Sequence, residues 1–154
     1  MSLASSLDRY VDGNSPVHAL DARVKLLLTL ATILTLALIP PGQALALAAV
    51  AALLWWTVLR AEVGLGAIMG RAVIALPFAL VAVTLVFSRP GTPLFQVSLG
   101  ALTLTATDNG LVAFATVVVK SWLSVQAALV LATTTHFTDL LYALRALRLP
   151  RVMV

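Results

Sequence analysis

The 154-residue chain contains no cysteine, which excludes disulfides and thiolate metal sites. Charge is scarce as well: Lys and Arg number 10 and Asp and Glu 6, together 10% of the residues. None of the acids falls inside a long apolar run, so a buried proton relay or acid–base pair has no basis there. No Ser-His-Asp constellation, HExxH or glycine-rich phosphate loop is present. No motif interleaves aromatic and basic residues, so the net charge of +4 needs no nucleic acid to explain it.

What the chain has is apolar length. Hydrophobic residues make up 61% of it, and the mean hydropathy is +1.05. One soluble core of this size could not hide that much apolar surface, so the bilayer is read as the solvent. Four runs stand out: Leu26–Ile39, Gln43–Leu59, Ala72–Phe87 and Leu111–Ala132. A spanning helix needs about 20 apolar residues, and the last run meets that comfortably. The first is short, and the stem of Lys25 could extend it by snorkelling. The first two runs, joined by Pro40–Pro41–Gly42, could alternatively form one re-entrant pair. The expected fold is an all-α membrane protein with about four transmembrane helices. Residues 1–25 form a cytoplasmic leader, 26–132 the membrane part and 133–154 a cytoplasmic amphipathic helix. A cleaved signal peptide is rejected, because the leader is long and carries Asp8, Asp12 and Asp21.

Charge predicts orientation. Arg9, Arg23, Lys25, Arg60, Arg71, Arg145, Arg148 and Arg151 fall on one side of this four-span arrangement, and Arg89 alone on the other. That asymmetry places both termini in the cytoplasm of a multi-pass protein of the cell (inner) membrane.

Local chemistry refines the elements. Asp21 suits the start of the first helix. Trp55–Trp56 with Arg60 reads as an interface belt. Pro77 predicts a bend in the first half of the third run. Phe95, Val97 and Leu99 alternate with polar residues, as do Leu102, Leu104 and Ala106 after Gly100–Ala101. That is an extracytoplasmic hairpin of type II′, after which Thr107 or Asp108 caps the fourth helix. Phe137, Leu140, Leu141, Leu144 and Leu147 recur at helical spacing, with Asp139 early, Arg145 and Arg148 late, and Pro150 closing the helix.

Few residues offer chemistry. His18 and Asp21 share a helical face but make a poor metal site with no third ligand. His136 reads as an interface residue. Lys120, with Ser121 and Ser124 nearby, lies mid-run at a costly depth. It serves either as a functional group or as an internal contact to carbonyls. Gly64, Gly66 and Gly70 could serve close helix packing.

Three strings carry a resemblance. Ser15–Pro16–Val17–His18–Ala19–Leu20–Asp21–Ala22–Arg23–Val24–Lys25–Leu26 resembles the entry motif of the transmembrane coupling subunit of energy-coupling factor transporters. Leu102–Thr103–Leu104–Thr105 followed by Gly110–Leu111 is similar to the segment before that family's long helix. Thr134–Thr135–His136–Phe137–Thr138–Asp139–Leu140–Leu141, with Ala143–Leu144–Arg145 and Leu149–Pro150–Arg151, resembles its first coupling helix. Here the family usually has proline where this chain has His136. Leu7–Asp8–Arg9–Tyr10 resembles the cobalt and nickel branch. The resemblance implies a non-catalytic subunit that needs no cofactor. It would transmit the motion of two cytoplasmic ATPases to a substrate-binding membrane subunit, for cobalt or nickel uptake. It marks Ser15, Pro16, His18, Asp21, Arg23, Lys25, Lys120, Phe137, Asp139, Leu141, Leu144, Arg145, Pro150 and Arg151 as coupling or interface residues. The family's two Ala-Arg-Gly-like motifs, which dock into the ATPases, do not occur in these residues, so the docking groups are unnamed. The alternatives are a vitamin-type subunit, an intramembrane enzyme centred on Lys120, and a membrane-anchored assembly factor.

Overall fold

A computed structural model describes residues 17, 20–61, 64–72, 76–99 and 102–146. Ser15, Pro16, His18, Pro150, Arg151 and the turn pair Gly100–Ala101 lie outside the described residues, as does Leu147 of the predicted apolar stripe. So do the side chains of Leu144 and Arg145, although the helix backbone that carries them is described.

The described chain is mostly helical. Helix α1 (Ala22–Leu38) and α2 (Ala44–Arg60) form a hairpin, followed by three short helices, α3 (Leu65–Arg71), α4 (Leu76–Ala82) and α5 (Thr84–Ser88). Strands β1 (Pro93–Leu99) and β2 (Leu102–Thr107) lead into the long α6 (Asp108–Thr134), and α7 (Phe137–Ala146) follows. Among the described residues, α6 is the one helix long and apolar enough to cross a membrane; α2 and the Pro77–Ser88 stretch are apolar but shorter. Its 27 residues give a rod of about 40 Å, against about 25 Å for a 17-residue helix.

The α1–α2 turn is set by Gly42, whose φ of +87° is a conformation that side chains resist. The turn rests on α6, where the Gly42 amide reaches the Thr116 hydroxyl at 3.5 Å. The hairpin is a true two-stranded antiparallel sheet. Its pairing Leu99↔Leu102 leaves a two-residue loop, and a bulge at Leu94 shifts the register next to Pro93↔Thr107.

Of the third run, Ala72 and residues 76–87 are described. Pro77 occupies the first turn of α4, where its missing N–H costs nothing, and Val83, in the αR region and donating to the Ala79 carbonyl at 3.1 Å, joins α4 to α5. A Cβ added at Gly64, Gly66 or Gly70 would meet nothing within 4 Å, so no described residue packs closely on these glycines.

Helix α6 is the spine, against which α1 to α5 all pack. The core lies where α1, α2 and α6 meet, at Leu36, Ile39, Leu47, Leu54, Leu123 and Ala127. A second cluster, Val58, Ala61 and Ile68, closes against Leu129 and Val130. Much apolar surface stays outside this core: Leu38 is 82% exposed, Leu45 86% and Leu80 76%.

Candidate functional site

Every α-helix leaves its last carbonyls without internal donors, and cations are favoured at that negative end. Two lysines use this rule reciprocally. Lys25, in the first turn of α1, donates from Nζ to the Thr134 carbonyl at the end of α6, at 2.7 Å. Lys120, midway along α6, donates to the Ala37 carbonyl at the end of α1, at 3.1 Å, and to that of Ile39. The two helices are thereby fastened near both ends of their contact. Lys25 does not snorkel outward. It is 8% exposed and turned inward, where the desolvated Thr134 carbonyl at a helix end accepts its hydrogen bond.

Asp21 is the N-cap of α1. Its carboxylate accepts from the Arg23 amide at 2.9 Å, and its own carbonyl accepts from Val24 and Lys25. The Asp-x-Arg-x-Lys string therefore starts a helix and aims its lysine at α6. At the far side of this joint the chain breaks: Thr135 is extended, with φ −137° and ψ 128°, and two residues separate α6 from α7. Helix α7 then folds back on α1. Leu20, Asp21, Arg23, Asp139, Tyr142 and Ala143 line the cleft between them. Asp139, in the first turn of α7, is a coulombic neighbour of Lys25. Ala143 is buried at this contact, Leu140 and Leu141 are half-buried, and Phe137 is exposed, so the predicted stripe is only partly covered. His136 is half-buried at the α6–α7 break.

Of the expected residues, Asp21, Arg23, Lys25 and Asp139 are therefore brought together, while Lys120 sits at the opposite end of α1. Lys120 lines an open groove with Ile33, Phe78, Ser121 and Ser124. No group of three or more potential metal ligands occurs among the described residues.

Gln126, a polar residue further along the run that carries Lys120, makes a contact that its sequence neighbourhood does not announce. This side chain is fully buried and accepts from the Trp55 indole at 3.0 Å. Trp55 also meets Trp122 edge to face, with centroids 6.5 Å apart. The indole–amide bond ties α2 to α6 in an apolar setting where an unpaired N–H would be costly. Trp56 instead stays exposed, with the Arg60 guanidinium 5.2 Å from its ring centre.

At the other pole, the loop before the hairpin is held to the start of α6. Thr107 caps α6 by accepting from the Gly110 amide at 3.1 Å, and donates to the Arg89 carbonyl at 2.8 Å. Asp108 accepts from the Thr92 amide at 2.9 Å, and Asn109 donates to the Pro90 carbonyl at 3.1 Å. Glycine keeps position 91 clear, where a Cβ would crowd the side chains of Asp108 and Asn109 and force them to shift.

The sequence profile of the CbiQ family, described as cobalt transport protein, matches residues 13–154. No curated protein matches the chain.

Proposed function

The chain belongs to the CbiQ family of cobalt transport proteins, and from that membership we propose that it is the transmembrane coupling subunit of an energy-coupling factor importer. It is a component of a transport system. On this reading it carries no catalytic centre and passes the motion of two cytoplasmic ATPases to a substrate-binding membrane subunit. Cobalt is the proposed cargo, from the family's description as cobalt transport protein, and the partner subunit would hold it.

One observation carries the proposal: an amphipathic helix hangs from the end of a long apolar helix and is fastened to the start of α1. Helix α7 has an acid in its first turn, a buried side at Ala143 and an exposed side at Phe137 and Tyr142. The exposed side is free to meet a partner, while the buried side reports its position to the bundle. The bilayer reading is supported by α6 itself. Only 33% of its most apolar window is buried within the chain, whereas the core helix of a soluble protein would be mostly covered. An intramembrane enzyme centred on Lys120 gains no support, because that ammonium is spent on helix-end carbonyls.

Co-expression with the candidate ATPase and substrate-binding subunits tests the proposal. The complex should co-purify and drive ATP-dependent accumulation of radioactive Co²⁺ in cells lacking other cobalt importers. A chain that copurifies with neither subunit is not a coupling subunit. Uptake of a vitamin without Co²⁺ would keep the coupling role and discard the cargo.

A further inference from the structure

The coupling helix must be joined to the membrane part by something stiffer than a two-residue link if its displacement is to reach the bundle. Thr135 and His136 are all that connect α6 to α7, and the helical hydrogen bonding of α7 starts afresh with Leu140 N donating to His136 O at 3.1 Å. A backbone break of this kind is a hinge unless side chains bridge it. Helix α1 spans it from outside: Lys25 in its first turn binds the end of α6, and α7 packs on the same end of α1.

We infer that Lys25 is the positioning residue that locks this hinge, binding the end of α6 through the Thr134 carbonyl while α7 packs on the same end of α1, so that α1, α6 and α7 move as one body. The inference rests on the coupling role proposed above and names the joint through which coupling passes. Three features support it. The ammonium is buried and directed at a helix end 109 residues away in sequence. It is held there by the Asp21 cap, which fixes the first turn of α1. The far end of the same helix pair is fastened by Lys120, so α1 cannot pivot on α6 when Lys25 is pulled. A neutral apolar side chain at 25 would leave the Thr134 carbonyl bare, and the hinge would open.

The chain has no cysteine, so a pair of spin labels can be introduced cleanly. Labels at Leu34 of α1 and Tyr142 of α7, both exposed, report the angle between those helices in the full complex in lipid nanodiscs. The native residue should give one narrow distance, unchanged by ATP. Lys25→Met should broaden it or add a second population, and Lys25→Arg should restore it. Uptake of Co²⁺ per ATP hydrolysed should fall about tenfold in Lys25→Met, the loss expected for one charged hydrogen bond, with the ATPases still bound. Should Lys25→Met fail to accumulate, Lys25→Gln is measured in the same way. An unchanged distance in the neutral variant overturns the joint. If the native complex transports nothing, the coupling reading fails, yet the distance still tests the hinge.

Discussion

Lys120 illustrates how far a single residue can be read. Its depth in an apolar run marks it as costly from sequence alone, and an internal contact to carbonyls was one of two readings open to it. The identity of those carbonyls was not legible. They belong to a helix end more than 80 residues earlier, and no local pattern encodes that meeting. The same holds for Lys25, which periodicity assigns to the rim and packing turns inward. Gln126 was hidden for a related reason: an amide inside an apolar helix looks merely tolerated until Trp55 is found opposite. The contact also changes what a substitution should do. Replacing a mid-bundle lysine by an apolar isostere can be neutral when only desolvation is at stake. Here it strands the Ala37 and Ile39 carbonyls. Lys120→Met should therefore destabilise the protein by about 1–3 kcal/mol, seen as a lower denaturation midpoint in detergent, and Lys120→Arg should recover part of it. A midpoint equal to that of the native protein would mean that the two carbonyls find other donors.

Elements were legible where the signal is local. The Gly42 turn, the period-two strands and the Thr107 cap each depend on a few adjacent residues, and each is where the sequence puts it. The third run is legible as apolar content, but a hydropathy count does not see that Pro77 starts α4 or that Val83 joins it to α5. The hairpin also has an electrostatic root that composition hides. Asp108 precedes the apolar run of α6, and its carboxyl is held below the ordinary value of 3.8. The main cause is the hydrogen bond from the Thr92 side chain, followed by that from the Asn109 amide. A carboxyl depressed in the folded state adds stability above its unfolded pKa and loses it as pH falls through the lower folded one. Acidification below about 3.8 should therefore loosen the 89–93 loop from the start of α6. Amide exchange at Thr92 would report it as a rise on acidification, beyond the intrinsic rate, that Asp108→Asn abolishes. Equal pH dependence in the asparagine variant would assign the transition to another group.

At the scale of the whole molecule, the helices divide the polar features between two poles. The Gly42 turn, Arg89 and the Thr107–Asp108 platform share one end of α6. The Asp21 cap, Lys25, Arg60, Thr134 and helix α7 gather at the other. This is the division that the basic residues require if the second pole faces the cytoplasm, since Arg89 stands apart from Arg23, Lys25 and Arg60. Moving even one of these charges into a bilayer core would cost several kcal/mol, so the orientation should be single and stable. Because the chain lacks cysteine, it can be mapped one thiol at a time. A cysteine at Leu94, exposed on β1, should react with an impermeant maleimide in intact cells. One at Tyr142, exposed on α7, should react only after the membrane is opened. The reverse pattern would place α7 outside the cell, away from any ATPase, and the coupling role would fall with it. Labelling of both sites in intact cells would instead mean that the α6 rod does not separate the two poles, and would remove the bilayer from the account of its exposed leucines.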